Sequence, residues 1–434
     1  MTAPNKVLRD DAKLTPYWWE GVEAAATDGQ TPPDAADVVV IGSGFTGMSA
    51  ALALARAGRD VVVLEKESRL GFGCSTRNGG QVGERFSPGY GTLAKRYGAD
   101  KARRLKHEGN EAYRHLVDFI QGESIDCSFR NSGHLLCVHS PRLYDATARA
   151  AEVEAKEFGI EAEVISRADQ HREVGSDAFH GAVLFPGGGS LDPMLYHKGL
   201  AERVRSAGAR VYVGQDVKGV ERDAGMFNVR VAGRTIRAKD VVIATNGYTG
   251  QATPWYRRRI IPIGSYIIAT EEIDPALMSR LSPKGRMLNE TRKVVLYYRP
   301  SPDGRRILFG GRVALQEVNT GVCAPRLHEA MVRTFPELAG IRVTHSWMGF
   351  VAFTFDHLPH LGVSDGLSHS MGYCGNGVPR ATYYGWKLAM KILGKPEGRS
   401  ELDDLGFETR PLYYGAPWFL APSLMYYKMR DALA

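Results

Sequence analysis

Between residues 37 and 65 an apolar stretch, a glycine turn, an Ala/Leu-rich stretch and a second apolar stretch follow one another without a break. Few folds accept that order in so short a span. Asp37-Val38-Val39-Val40-Ile41 is a β-branched run suited to a strand buried on both faces of a parallel sheet. Gly42-Ser43-Gly44-Phe45-Thr46-Gly47 follows at once; residues 48–57 then have helical composition, and Gly58 offers a C-cap. The second run, residues 60–64, ends on Glu65, 23 positions after Gly42, close to the ~20-residue spacing of a dinucleotide fingerprint. Each residue in this unit has a physical task. Gly42 permits the tight turn, Gly44 lets the backbone approach a pyrophosphate, Gly47 lets helix and strand pack closely, and the helix N-terminus presents N–H donors to the anion. Glu65 is placed to accept from ribose hydroxyls, and its carboxylate disfavours a 2′-phosphate, which leaves FAD or NAD.

The next segment separates those two. From Lys66 to Gln81 the chain is glycine-rich and polar, with no third strand of a plain NAD domain. Such a loop can wrap a long ligand with amides, hydroxyls and the Arg77 guanidinium.

A chain of 434 residues, 44% hydrophobic and 24% charged, exceeds what one core usually serves, so two domains are expected. No run approaches a membrane span and residues 1–30 lack a signal-peptide pattern, so a cytoplasmic location is expected. Cys74, Cys127, Cys137, Cys323 and Cys374 are far apart, which argues against a zinc site and a disulfide framework. The net charge of +7 is dispersed, its only tight run being Arg257-Arg258-Arg259. An anionic cofactor or acidic substrate accounts for it better than nucleic acid.

In its opening unit and in Ser75-Thr76-Arg77-Asn78-Gly79-Gly80-Gln81 the chain resembles the D-amino-acid oxidase or glycine oxidase superfamily of FAD enzymes, and most of all its gamma-glutamylputrescine oxidase-like branch. Later segments fit the same pattern in order: residues 240–247, ending Ala244-Thr245-Asn246-Gly247; residues 305–312, ending on Arg312; and, near the C-terminus, residues 347–362 and 372–378. The resemblance implies an α/β fold: a Rossmann-like FAD domain of the glutathione-reductase type with an inserted α+β substrate domain on a mainly antiparallel sheet. The implied boundaries are an N-terminal arm (1–29), a discontinuous FAD domain (30–90, 192–253, 343–398), a substrate domain (91–191, 254–342) and a C-terminal tail (399–434). FAD, held without a covalent bond, would meet Gly42, Gly44, Phe45, Thr46, Gly47, Glu65, Lys66, residues 75–81, Val217, residues 244–247, Trp347, Gly372, Gly375, Asn376, Gly377 and Val378. Independently of any family, Gly375 and Gly377 precede a helical stretch, 380–393, whose positive end can stabilise charge on a flavin.

A flavin takes a hydride from a carbon bearing nitrogen or oxygen, so the protein has to hold that carbon and shape the ring's surroundings. An apolar, aromatic-lined pocket also favours the neutral amine. Arg312, Trp347, Phe353, Asn376 and Tyr266 are the candidate catalytic or pocket residues, with Tyr298 and Arg85 behind them. Each has a structural alternative, as a surface ion pair for Arg312 or a core aromatic for Trp347 and Phe353. His357 and His360 lack a supporting cluster, so no metal is expected. Relatives that tether FAD do so through a cysteine where this chain has Gly349. The lysine some relatives place over the flavin corresponds to Leu308, and their paired carboxylate-binding residues fall on Gly80 and Pro379. The expected activity is oxidation of the C–N bond of a small amine or amino acid, including an amine with a distal acidic group, with O2 or another electron acceptor. Two alternatives stay open: a 2-hydroxy acid dehydrogenase, which would want a histidine where Asn376 stands, and a flavin-binding subunit without turnover of its own. The sequence does not give the oligomeric state.

Overall fold

The computed structural model describes residues 7–29, 31–314 and 317–433. Residues 1–6 of the arm, residue 30 at the expected start of the FAD domain and residue 434 of the tail lie outside the described residues. The fingerprint folds as strand Ala35–Ile41, helix Phe45–Arg56 and strand Val61–Leu64. The third parallel neighbour, absent from the sequence after Glu65, arrives much later as Arg210–Tyr212, with Val63 opposite Val211. On the other side Arg234–Ile243 runs parallel to Ala35–Ile41, and its free end pairs with Leu367–Met371. Alternation along these strands sends Val38, Val40, Val61 and Val63 into one core and Val39, Ile41, Val62 and Leu64 into another. A strand buried on both faces is apolar throughout for this reason, each such side chain contributing roughly 1.5–3 kcal/mol.

Helix Phe45–Arg56 packs against helix Gly377–Ile392 at close range. A Cβ on Gly385 would lie 2.5 Å from the Thr46 carbonyl. Strand Met226–Val231 forms a hairpin with Arg234–Ile243, pairing Phe227 with Ala238 and Val231 with Arg234 across the loop Ala232-Gly233.

The second sheet has nine strands and is mainly antiparallel. Its longest pair is Ile261–Thr270 with Val343–Phe353, followed by Ile307–Gly311, Leu296–Pro300 and Met287–Glu290. This corrects the boundary expected at residue 343. Val343–Phe353 pairs along its length with Ile261–Thr270 and so belongs to the second sheet.

The arm is part of the same sheet, strand Leu8–Lys13 running parallel to Val343–Phe353 at its edge. In the tail, Tyr413 is buried beside Phe353, while helix Leu420–Leu433 lies on the surface with Met425, Tyr426 and Met429 exposed. That helix is anchored by Asp431, whose carboxylate accepts from the Lys293 and Val294 amides at 2.7 and 2.9 Å. No helix among the described residues is long and apolar enough to cross a membrane.

Candidate active site

A cavity opens between the two sheets and is lined by residues of both. One end is the glycine turn. Gly42 has φ +103° and a Cβ there would sit 2.8 Å from the Ala244 carbonyl, while a Cβ on Gly47 would sit 2.0 Å from the Gly42 carbonyl. Helix Phe45–Arg56 has no side-chain cap, so its first turn faces the cavity with backbone donors, one of which, Phe45 N, donates to Ser75 Oγ at 3.0 Å. These donors and the aligned peptide dipoles suit an anion. Glu65 is tied to the same turn: its carboxylate accepts from Ser43 N at 3.1 Å, from Ser43 Oγ, and from Glu67 N at 3.1 Å. A carboxylate retains further acceptor sites when so bonded. Beneath the turn His197 donates to the Ser43 carbonyl at 2.6 Å, and its burial lowers its pKa to about 4.

The loop that follows is held by indole groups. Trp18 donates to the Asn78 carbonyl at 2.8 Å, Trp19 to Thr76 Oγ1 at 2.9 Å and Trp347 to the Arg77 carbonyl at 2.8 Å. Arg77 lies between Phe72 and Trp19, 4.2 and 4.6 Å from their ring centroids, and donates to the Phe72 and Met348 carbonyls. Asn78 donates to the Cys74 and Ser75 carbonyls and accepts from Gly80 N. The loop thereby turns Ser75, Arg77, Asn78, Gly79 and Gln81 to the cavity. A second uncapped helix start, Gly377–Ile392, closes this end, and Gly375, Gly377 and Val378 line it. Two strand ends are joined there by Asn246, whose side-chain oxygen accepts from Gly372 N at 2.9 Å.

The other end is the second sheet, from which Ser265, Asn289, Val295, Tyr297, Arg312, Gly349 and Val351 face the cavity. Tyr297 and Ser265 share a hydroxyl hydrogen bond of 2.8 Å. Arg312 lies over Phe353, 4.6 Å from its centroid.

Many of the sequence-selected residues do meet here: Gly44, Phe45, Thr46, Ser75, Arg77, Asn78, Gly79, Gln81, Ala244, Asn246, Gly375, Gly377, Val378 and Arg312 line one cavity. Gly42, Gly47, Thr76, Gly80, Thr245, Gly247 and Gly372 stand behind that lining. They fix its backbone, as in Gly80, where a Cβ would lie 2.2 Å from the Leu191 carbonyl. Glu65, Lys66 and Val217 are not part of that lining; Val217 packs with Leu64 and Tyr212.

Four of the five candidate catalytic residues, Tyr266, Trp347, Phe353 and Asn376, are not part of the cavity lining. Tyr266 faces the opposite core, its hydroxyl donating to the Glu317 carbonyl at 2.8 Å, because the strand turns its neighbour Ser265 to the cavity. Trp347 is a buried support for the loop. Phe353 lies under Arg312 without lining the cavity, and Asn376 is the residue before the helix, with its neighbours Gly375 and Gly377 doing the lining. Tyr298 stacks on Phe309 in the core, Arg85 lies over Phe185, and Leu308 is buried with Ile267. The sequence reading missed Tyr297, Asn289, Ser265 and Cys374; the alternation along each strand was the available signal, but strands buried on both faces hide it.

The residues fit FAD. The glycine turn leaves no room for a Cβ, two uncapped helix starts point into the space, and the loop between them is fixed by side chains that do not themselves fill it.

The pattern of the family described as FAD dependent oxidoreductase, DAO, matches residues 37–390. Gamma-glutamylputrescine oxidoreductase of Escherichia coli (strain K12) is 33% identical over 410 residues, 92% of this chain and 93% of the relative. Among solved structures, glycine oxidase from Geobacillus kaustophilus superimposes with a TM-score of 0.72 at 20% identity, covering 87% of this chain and 99% of that one. L-proline dehydrogenase from P. horikoshii gives 0.70 at 20% identity, covering 90% and 99%. At that identity these two likenesses speak for the fold.

Proposed function

Since the chain belongs to the DAO family of FAD-dependent oxidoreductases, which act on amines or amino acids, we propose that it oxidises the C–N bond of a small amine, giving an imine that water converts to a carbonyl compound and a released amine. The supporting observation is a cavity whose one wall is a dinucleotide cradle and whose other wall is a sheet face carrying Tyr297, Asn289 and Arg312. When bound, FAD supplies the acceptor for the hydride that leaves the carbon beside nitrogen. The protein holds that carbon against the sheet wall and keeps the nitrogen neutral. Among the described residues the lining contains no Asp or Glu to stabilise an ammonium ion, and Arg312 opposes one. A nitrogen that enters uncharged needs no dedicated base before the hydride leaves. No histidine lines the cavity among the described residues, which disfavours hydroxy-acid oxidation by an imidazole base.

We further propose that FAD is held without a covalent bond. Gly349 stands where a tether would be, and the cavity thiols of Cys74 and Cys374 are pushed up to about 11 by burial, leaving them protonated and poorly nucleophilic at neutral pH. Acid precipitation should release all the yellow colour into the supernatant; colour retained in the pellet would contradict this.

The deciding experiment is an anaerobic visible titration of the purified protein with amines, amino acids and 2-hydroxy acids. Bleaching by an amine supports the proposal, and readmitting air tells whether oxygen is the acceptor. Bleaching by hydroxy acids alone, or by nothing, overturns it in favour of a hydroxy-acid dehydrogenase or a subunit without turnover.

A further inference from the structure

The tail leaves in water the kind of surface that the rest of the chain hides. Half of the large apolar and aromatic side chains that are exposed among the described residues fall between Leu412 and Leu433. Scattered singly such side chains are ordinary; gathered on one element they mark a contact.

Helix Leu420–Leu433 puts them in order. Successive residues turn by about 100°, so Leu420, Ser423, Leu424 and Asp431 share the face turned to the body of the protein. Leu420 is buried there, the other three are half-buried, and the Asp431 carboxylate is spent on the Lys293 and Val294 amides. The opposite face carries Met425, Met429 and Leu433, which are 73%, 53% and 66% exposed, with Tyr426 beside them. Lys428 and Arg430 fall on the two flanks of that stripe, one on each side. Neither has a carboxylate partner among the described residues; Arg430 donates to the Tyr426 hydroxyl at 3.1 Å and lies 5.9 Å from its ring centroid. The outward surface is thus apolar along its middle and cationic at both edges, and the helix's one acid points the other way.

That pattern selects its partner. The apolar middle has to leave water, and the cationic edges need anions at the rim of whatever receives it. A second copy of the chain packed on this face would crowd Lys428 and Arg430, which flank the central Met429, against the same cations of its partner, and like charges so placed are costly. A bilayer containing anionic lipid meets both demands. Its acyl boundary takes up the apolar stripe, the tyrosine ring suits the interface, and the long stems of Lys428 and Arg430 let their charges reach back to the phosphates.

We infer that the outward face of helix Leu420–Leu433 is a docking surface for an anionic lipid bilayer, on which the protein rests as a peripheral enzyme. The helix lies in the plane of the interface; no helix among the described residues is long and apolar enough to cross it.

Flotation of the FAD-loaded full chain with vesicles of phosphatidylcholine, alone or mixed with phosphatidylglycerol, tests this. Wild type should partition onto the mixed vesicles about 30-fold more strongly than onto the neutral ones, the ratio that two cations near an anionic surface supply, and added salt should reduce it. Met425→Glu combined with Met429→Glu should abolish binding, and Lys428→Gln combined with Arg430→Gln should remove the preference for anionic lipid. All four side chains are exposed and outside the cavity lining, so both variants should keep wild-type FAD content and melting temperature. Failure of wild type to bind either vesicle, equal binding to both, or wild-type binding by the Met425→Glu, Met429→Glu variant would overturn the inference. So would light scattering that shows a wild-type dimer which the glutamate substitutions convert to a monomer, since the face would then belong to a second copy of the chain.

Discussion

At the glycine-turn end of the cavity the groups offered to a ligand are mostly backbone: the first turns of two helices and a loop fixed by three indole N–H groups. At the sheet end they are side chains, Ser265, Asn289, Tyr297 and Arg312, each from a different strand or strand end. A backbone surface tolerates no new Cβ and is indifferent to side-chain chemistry, which suits a cofactor shared across a family. A side-chain surface can be rewritten one residue at a time, which suits a substrate particular to one protein.

If that contrast is right, substitutions at the two ends should fail in different ways. The largest effect is expected at Gly47, where a Cβ would lie 2.0 Å from the Gly42 carbonyl, a backbone atom that cannot yield. Gly47→Val should abolish bound FAD, as read from the visible spectrum of the purified protein; a yellow, stable variant would break the comparison. Next is Trp18, 1% exposed and bonded to the loop. Trp18→Ala should lower stability by about 3–5 kcal/mol in denaturant unfolding and weaken FAD retention.

Acid should act on the same end through His197. Its pKa is about 4 in the fold against ~6.5 when unfolded. Below the unfolded value, the unfolded chain binds a proton that the folded protein refuses. Stability is therefore lost as pH falls from ~6.5 toward the folded value, by at most about 1.4 kcal/mol per pH unit. The melting temperature of the FAD-bound protein should fall across that window, and His197→Gln should flatten the fall; an unchanged slope would remove His197 from this role.

The sheet end should respond in rate rather than in cofactor content. Tyr297→Phe removes the hydroxyl bonded to Ser265 and should cost about 1 kcal/mol of stability. Its kcat/KM should change while FAD stays bound. Smallest is Tyr266→Phe, on the far face, which should lose about 1 kcal/mol or less of stability and leave kinetics untouched. A kinetic defect there, with none in Tyr297→Phe, would invert the assignment.

The same contrast explains what could be read from the sequence. The cradle was legible because its requirements are local: Gly42, Gly44 and Gly47 fall within one turn, and Glu65 follows at a fixed spacing. The sheet wall was not, and the errors share a form. Tyr266 and Tyr298 were selected where their neighbours Ser265 and Tyr297 face the cavity. Successive residues of a strand point to opposite faces. A strand with apolar residues on both faces carries no mark of which face is which, so the parity is decided by pairing partners distant in sequence. The arm was opaque for a related reason: nothing local to Tyr17-Trp18-Trp19 says that a loop some sixty residues later awaits its N–H donors.

Strand order in the cofactor sheet sets a schedule for synthesis. The glycine turn and its strands Ala35–Ile41 and Val61–Leu64 leave the ribosome early, yet their neighbours are Arg234–Ile243 and Arg210–Tyr212, and the last lining residues come after residue 370. Until those neighbours are made the nascent chain carries two apolar strands with open edges, and the cradle stays unfinished until after residue 370. The full FAD site therefore exists only near the end of synthesis, and through the earlier interval the cofactor has no complete cradle through which to stabilise the chain.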